Sequence, residues 1–152
     1  MHKKLKILII ALLFITTGCG KDKYKICKLD LNNKSDNYIL DATYKVYYSK
    51  GYVTKVEKSE IYESDDEDIL KYFNDSKSIE YKNLNELYQG YSYDIKLLDG
   101  SINIESKVDM NTLDISKMVK DGFIDKGYTS NGRITLNGIK YVYTSKGFNC
   151  DI

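Results

Sequence analysis

Tyr91-Ser-Tyr-Asp-Ile-Lys-Leu-Leu-Asp-Gly-Ser-Ile-Asn-Ile-Glu-Ser-Lys-Val-Asp-Met110 decides the fold class. Tyr91, Tyr93, Ile95 and Leu97 alternate with Ser92, Asp94 and Lys96. After Asp99-Gly100, Ile102, Ile104, Val108 and Met110 alternate with Asn103, Glu105, Lys107 and Asp109. A period of two marks strands with one buried face. Asp99-Gly100 predicts a type I′ turn, with both central residues at positive φ. The stretch is a β-hairpin, and its buried face needs a cover.

That cover is sought upstream. Ser64-Asp-Asp-Glu67 has the form of a capping box: Ser64 can accept from the N3 amide, Glu67 can reach back, and acidic residues suit the positive end of a helix. Ile69, Leu70, Phe73, Leu84, Leu87 and Tyr88 follow at helical spacing. Ser76-Lys-Ser78 is a candidate break that would divide the pattern into two helices, and Gly90 is a natural terminator. Further back, Leu40, Ala42, Tyr44, Val46 and Tyr48 alternate with Asp41, Thr43, Lys45 and Tyr47. Ser49-Lys50-Gly51 supplies a turn into a return strand, Tyr52 to Tyr62, whose blurred alternation is consistent with a bulge. Tyr24 to Leu31 reads as a first strand.

Downstream, Leu113 to Val119 is a short helical piece, and the region of Gly122, Gly127 and Gly132 reads as loop. Two readings compete for the last segment. Leu136, Ile139, Val142 and Tyr143 fit a helix with Thr135 as N-cap, Lys146 in the last turn and Gly147 at C′. Its β-branched and Tyr content fits a strand instead. The helix is favoured, since it returns Phe148 and Cys150 to the sheet. Together these elements predict one α+β domain over 24–152, an antiparallel sheet of about five strands with helices packed on one face.

The N-terminus sets the compartment. His2, Lys3, Lys4 and Lys6 precede the apolar run Ile7 to Ile15, which leads to Thr16-Thr-Gly18-Cys19. This is the layout of a secretory signal, and the run is shorter than the roughly 20 apolar residues of a bilayer-spanning helix. Ile15 to Cys19 resembles a bacterial lipobox, with Thr16 where Leu is commonest. The resemblance implies a signal peptide over 1–18, cleavage after Gly18, diacylglyceryl transfer to the Cys19 thiol, and a short tether over 19–23. The expected location is the extracytoplasmic face of the cell membrane. Two acyl chains suffice for stable anchoring, each buried CH₂ adding about 0.8 kcal/mol.

Three cysteines become two once Cys19 carries lipid. Cys27 and Cys150 then stand at opposite ends of the domain. Outside the cytoplasm they can form a disulfide, contributing about 4–5 kcal/mol through the long loop closed; the alternative is two unpaired, buried thiols.

Removing the first eighteen residues from 152 leaves 134, one domain's worth of chain. Taking Lys3, Lys4 and Lys6 from 23 basic residues leaves 20 against 22 acidic ones, so no basic field points to nucleic acid. With no Pro there is no rigid Pro-rich linker, and the domain is expected close to the membrane. His2 is the sole histidine and lies in the signal, which excludes His-dependent hydrolases and His-ligated metal sites.

The whole pattern resembles the small YehR-like lipoproteins of unknown function. The residues carrying the likeness are the lipobox at Cys19, Tyr44-Lys-Val with Val53-Thr-Lys-Val56, the acidic helix start, and Val108-Asp109 with Leu113-Asp114. The resemblance implies an anchor and a fold, and no activity. The Gly147-Phe-Asn-Cys150 tail goes beyond the family pattern.

Candidate sites are sparse. Glu63 to Asp68 lacks the alternating ligands and central Gly of a calcium loop, and reads as a solvated helix start. Asp109 to Asp114 reads as a hairpin end and a cap. Fifteen Tyr suggest a glycan platform, but strand faces already use several, and Trp, a strong stacking residue, is absent. No catalytic, cofactor or metal residue is expected. The chain is expected to be a non-enzymatic binding domain for an envelope protein or small ligand. The second reading is a His-independent cell-wall glycan hydrolase that uses paired carboxylates.

Overall fold

The structure is a computed structural model that describes residues 23–152. The expected signal, 1–18, and Cys19 lie outside the described residues. Among the described residues, eight strands and three α-helices follow in the order β1 (Tyr24–Asn33), β2 (Tyr38–Ser49), β3 (Tyr52–Glu63), α1 (Glu67–Leu87), β4 (Tyr91–Leu98), β5 (Ser101–Asp109), α2 (Ile115–Lys120), β6 (Thr129–Ser130), β7 (Arg133–Ile134), α3 (Leu136–Thr144) and β8 (Asn149–Cys150).

Six strands form one antiparallel sheet in the order β4-β5-β3-β2-β1-β8. The five long strands are those expected from the sequence, and β8 adds a short sixth at the edge. Register explains why one face is buried. Val46, Val56 and Val108 lie side by side, as do Ala42, Glu60 and Ile104. Their neighbours on the other face, Lys45, Glu57 and Lys107, form a charged row. The helices pack on the apolar side. Leu70 and Tyr81 of α1 join Tyr62, Ile102 and Ile104; Ile115, Met118, Ile139 and Tyr143 from α2 and α3 join Val46, Val53 and Val56. The α+β arrangement, an antiparallel sheet with helices on one face, is therefore present.

Several local expectations are corrected. The helix α1 runs unbroken through Ser76-Lys-Ser78, because Leu70, Phe73, Tyr81, Leu84 and Tyr88 keep one stripe against the sheet. The Ser76 hydroxyl donates to the Phe73 carbonyl within the helix (3.2 Å), so its polar group is satisfied without the helix ending there. The N-cap of α1 is Asp66, accepting from Asp68 N–H, and not Ser64.

In the hairpin turn only Gly100 has positive φ (74°), so Asp99-Gly100 is not type I′. The turn Lys50-Gly51 has the paired positive φ values of 52° and 81° that type I′ requires. The expected bulge is present: Tyr47 pairs with Lys55 and Tyr48 with Val53, leaving Thr54 as the extra residue.

The region read as loop is partly ordered. Lys126–Tyr128 is a 3₁₀ turn, and β6 and β7 form a small hairpin closed by Asn131-Gly132. The last segment is helical, as favoured, with the Thr135 hydroxyl accepting from Gly138 N–H (3.0 Å). It ends at Thr144, before Lys146.

Candidate functional site

Three turns meet where β1 finishes: the connection to β2, the exit of β3 at Glu63, and Asp99-Gly100. Ser64 ties them together. Its N–H donates to Gly100 O (3.3 Å), its hydroxyl donates to Asn37 O (2.7 Å), and the same Oγ accepts from Asp66 N–H (3.0 Å). Between the turns lies a cleft of about 400 Å³ lined by Asn32, Asn33, Lys34, Tyr38, Glu63 and Asp65 among others. Its walls offer amide donors and acceptors, two carboxylates and one ammonium, the chemistry of a polar ligand or a polar loop. The chain enters β1 at Tyr24, so this ten-residue strand sets the cleft roughly 30 Å from the start of β1.

A second polar cluster sits inside the molecule, between the two apolar clusters. Glu60 is 5% exposed and accepts from the hydroxyls of Tyr44 and Tyr62, the latter at 3.3 Å. Tyr81 and Ser106 share a hydrogen bond of 3.1 Å beside it. The Lys58 ammonium lies 5.3 Å from the centre of the Tyr44 ring. Burial pushes the Tyr44, Tyr62 and Tyr81 hydroxyls above the usual phenol range, and the charge of Glu60 adds to this. Burial lowers Lys58, against the opposing pull of Glu60. The cluster is a satisfied polar layer, with no buried side-chain N or O left unpaired among the described residues.

The third feature is covalent. Cys27 and Cys150 form a disulfide across the β1–β8 pair. Asp151 N–H donates to Ile26 O (3.0 Å), so Cys27 and Cys150 occupy the adjacent position without backbone hydrogen bonds, where facing Cα atoms approach most closely. Their Cα atoms are 4.0 Å apart, and Cys27 is fully buried. The oxidised alternative is the one present.

The acidic run divides among three tasks. Glu63 and Asp65 line the cleft, Asp66 caps α1, and Glu67 and Asp68 occupy its first turn. No group of three or more His, Cys, Asp or Glu among the described residues could hold a metal ion. Asp109 accepts from Asn111 N–H (3.0 Å), and Asp114 caps α2 through Lys117 N–H (2.9 Å), the hairpin end and cap expected. Tyr44, Tyr62, Tyr81, Tyr88 and Tyr143 are buried, which assigns them to packing.

No protein-family model matches the chain, and no curated protein matches it. Two solved structures are similar to it. The NMR structure of the E. coli YehR protein superposes with a TM-score of 0.54 at 19% identity, covering 86% of this chain and 93% of that one. The chain has the YehR fold. The fold implied by the resemblance is thus met, while the implied anchor at Cys19 lies outside the described residues. The NMR structure of a protein from Streptococcus pneumoniae TIGR4 covers 99% of both chains at 18% identity, with a TM-score of 0.46.

The polar layer was missed in the sequence, although its trace was there. Lys58 and Glu60 occupy core-facing positions of β3, and they are what blurs its alternation. The cleft had no such trace, because its walls come from segments far apart in the chain.

Proposed function

We propose that the protein is a membrane-anchored extracytoplasmic lipoprotein, carrying diacylglycerol on the Cys19 thiol, whose domain is a non-enzymatic binding module. The Cys27–Cys150 bridge carries this reading. Disulfides persist in oxidising compartments, and the bridge leaves Cys19 as the one cysteine of three outside it. A thiol beside a lipobox-like Thr-Thr-Gly is then free for a thioether. The binding partner is an envelope protein or a small polar ligand, received at the cleft between Asn33, Lys34, Glu63 and Asp65.

Two measurements test this. Palmitate labelling should be lost in Cys19→Ala, together with processing and membrane retention; a labelled or membrane-bound Cys19→Ala protein contradicts the anchor. A photo-crosslinker at Asn33 should capture one partner in native membranes, and Glu63→Lys should abolish the capture. Because Glu63 and Asp65 also present carboxylates in the cleft, cleavage of muropeptides by purified protein would replace the binding reading with glycan hydrolysis.

A further inference from the structure

The two edges of the sheet differ. At one, β8 and Asp151 cover β1 near the disulfide, with Ile26 N–H donating to the Asp151 carboxylate (2.6 Å). At the other, β4 pairs with β5 alone over Tyr91–Leu98, without a register shift and without Pro. Gly90 O accepts from Asp109 N–H (2.9 Å), and Leu98 faces Ser101 across the two-residue turn. Even-numbered residues of β4 therefore turn their N–H and C=O toward β5, while Tyr93, Ile95 and Leu97 turn theirs outward.

We propose that this edge pairs with the same edge of a second copy of the chain, antiparallel about a two-fold axis at Ile95. The strand is complementary to itself in that register. Asp94 faces Lys96 of the partner copy, Lys96 faces Asp94, and Tyr93 faces Leu97 on the helix-covered side. The pairs Tyr93–Leu97, Ile95–Ile95 and Leu97–Tyr93 each close two backbone hydrogen bonds through groups already aimed outward. Shifting the axis to residue 94 sets two aspartates opposite each other, and shifting it to residue 96 sets two lysines opposite; like charges directly opposed are unfavourable.

Edge lysines ordinarily block such pairing. Here Lys96 already has Asp94 at 2.8 Å, on side chains 67% and 60% exposed, so it brings no unbalanced charge. Tyr93 (39% exposed) and Leu97 (53% exposed) supply apolar surface that the partner strand covers. The axis stands normal to the sheet and leaves both helix layers on one side. If both copies are lipid-anchored, their strands lie along the membrane surface.

The test uses full-length protein in mild detergent, followed by sedimentation velocity over a concentration series. A concentration-dependent dimer is expected. Asp94→Lys and Lys96→Asp, each alone, should weaken it about tenfold by opposing like charges at two symmetric places, and the double swap should restore it. Hydrogen exchange on the unmutated protein supplies a readout independent of variant folding. The amides of Tyr93, Ile95 and Leu97 should gain protection as concentration rises, while those of Asp94 and Lys96 should not change. A monomer throughout the series overturns the proposal. So does a dimer indifferent to the single reversals, or one whose odd-numbered amides stay unprotected.

Discussion

A Cβ added at Gly138 would lie 2.5 Å from Tyr128 O and 2.8 Å from Tyr128 Cα, which is backbone and cannot yield cheaply. In an exposed helix Gly→Ala gains about 1 kcal/mol. Here Gly138→Ala should instead destabilise by about 1–3 kcal/mol, measured by urea unfolding, because α3 must move off the 3₁₀ turn. The sign of that change checks the close approach. At Glu60 the issue is polar rather than steric. Tyr44→Phe removes one of its two hydrogen-bond donors while the carboxylate stays buried, so a loss of about 1–3 kcal/mol is expected. A neutral outcome would mean that water reaches Glu60.

Because α1 is continuous, Ser76 and Ser78 sit in its interior, where Ala is preferred over Ser. Ser76→Ala with Ser78→Ala should raise stability by about 0.5 kcal/mol per site, whereas at a helix break the same changes would gain nothing. Period-two alternation makes β2, β4 and β5 readable, since each has one wet and one covered face, whereas Lys58 and Glu60 blur it in β3. The break was misread because Ser weakens a helix locally, and only packing on the sheet overrides this. At Asn131-Gly132 both residues have positive φ (51° and 68°), the pattern of a tight hairpin, but β6 and β7 are too short to alternate and so leave only the turn residues as a signal. The strand β8 could not be read at all, because two residues have no period and its pairing depends on β1, over a hundred positions away. Of the candidate site, the cysteine pair was legible and the cleft was not.

For the molecule as a whole, tyrosine governs the alkaline limit. Burial, with Glu60 nearby, holds the Tyr44, Tyr62, Tyr81 and Tyr143 hydroxyls above the ordinary phenol value, and burial with the Asp121 hydrogen bond brings Tyr88 up to about 12. At a pH above about 10 the unfolded chain releases these protons and the folded chain keeps them, so stability is full below that pH and falls as pH rises. Lys58, lowered by burial, and Tyr52, lowered by hydrogen bonds with Ser130 and Asn131, oppose this, but they are two groups against several. Circular dichroism and phenolate absorbance should therefore change together in one steep alkaline transition. Removing the disulfide with Cys150→Ser should cost about 2–5 kcal/mol. The bridge has a further effect, on damage rather than stability. It spans 123 positions of a 152-residue chain, so one protease cut at almost any loop of the domain leaves both fragments joined. A nicked molecule would still migrate as a single band until a reductant is added.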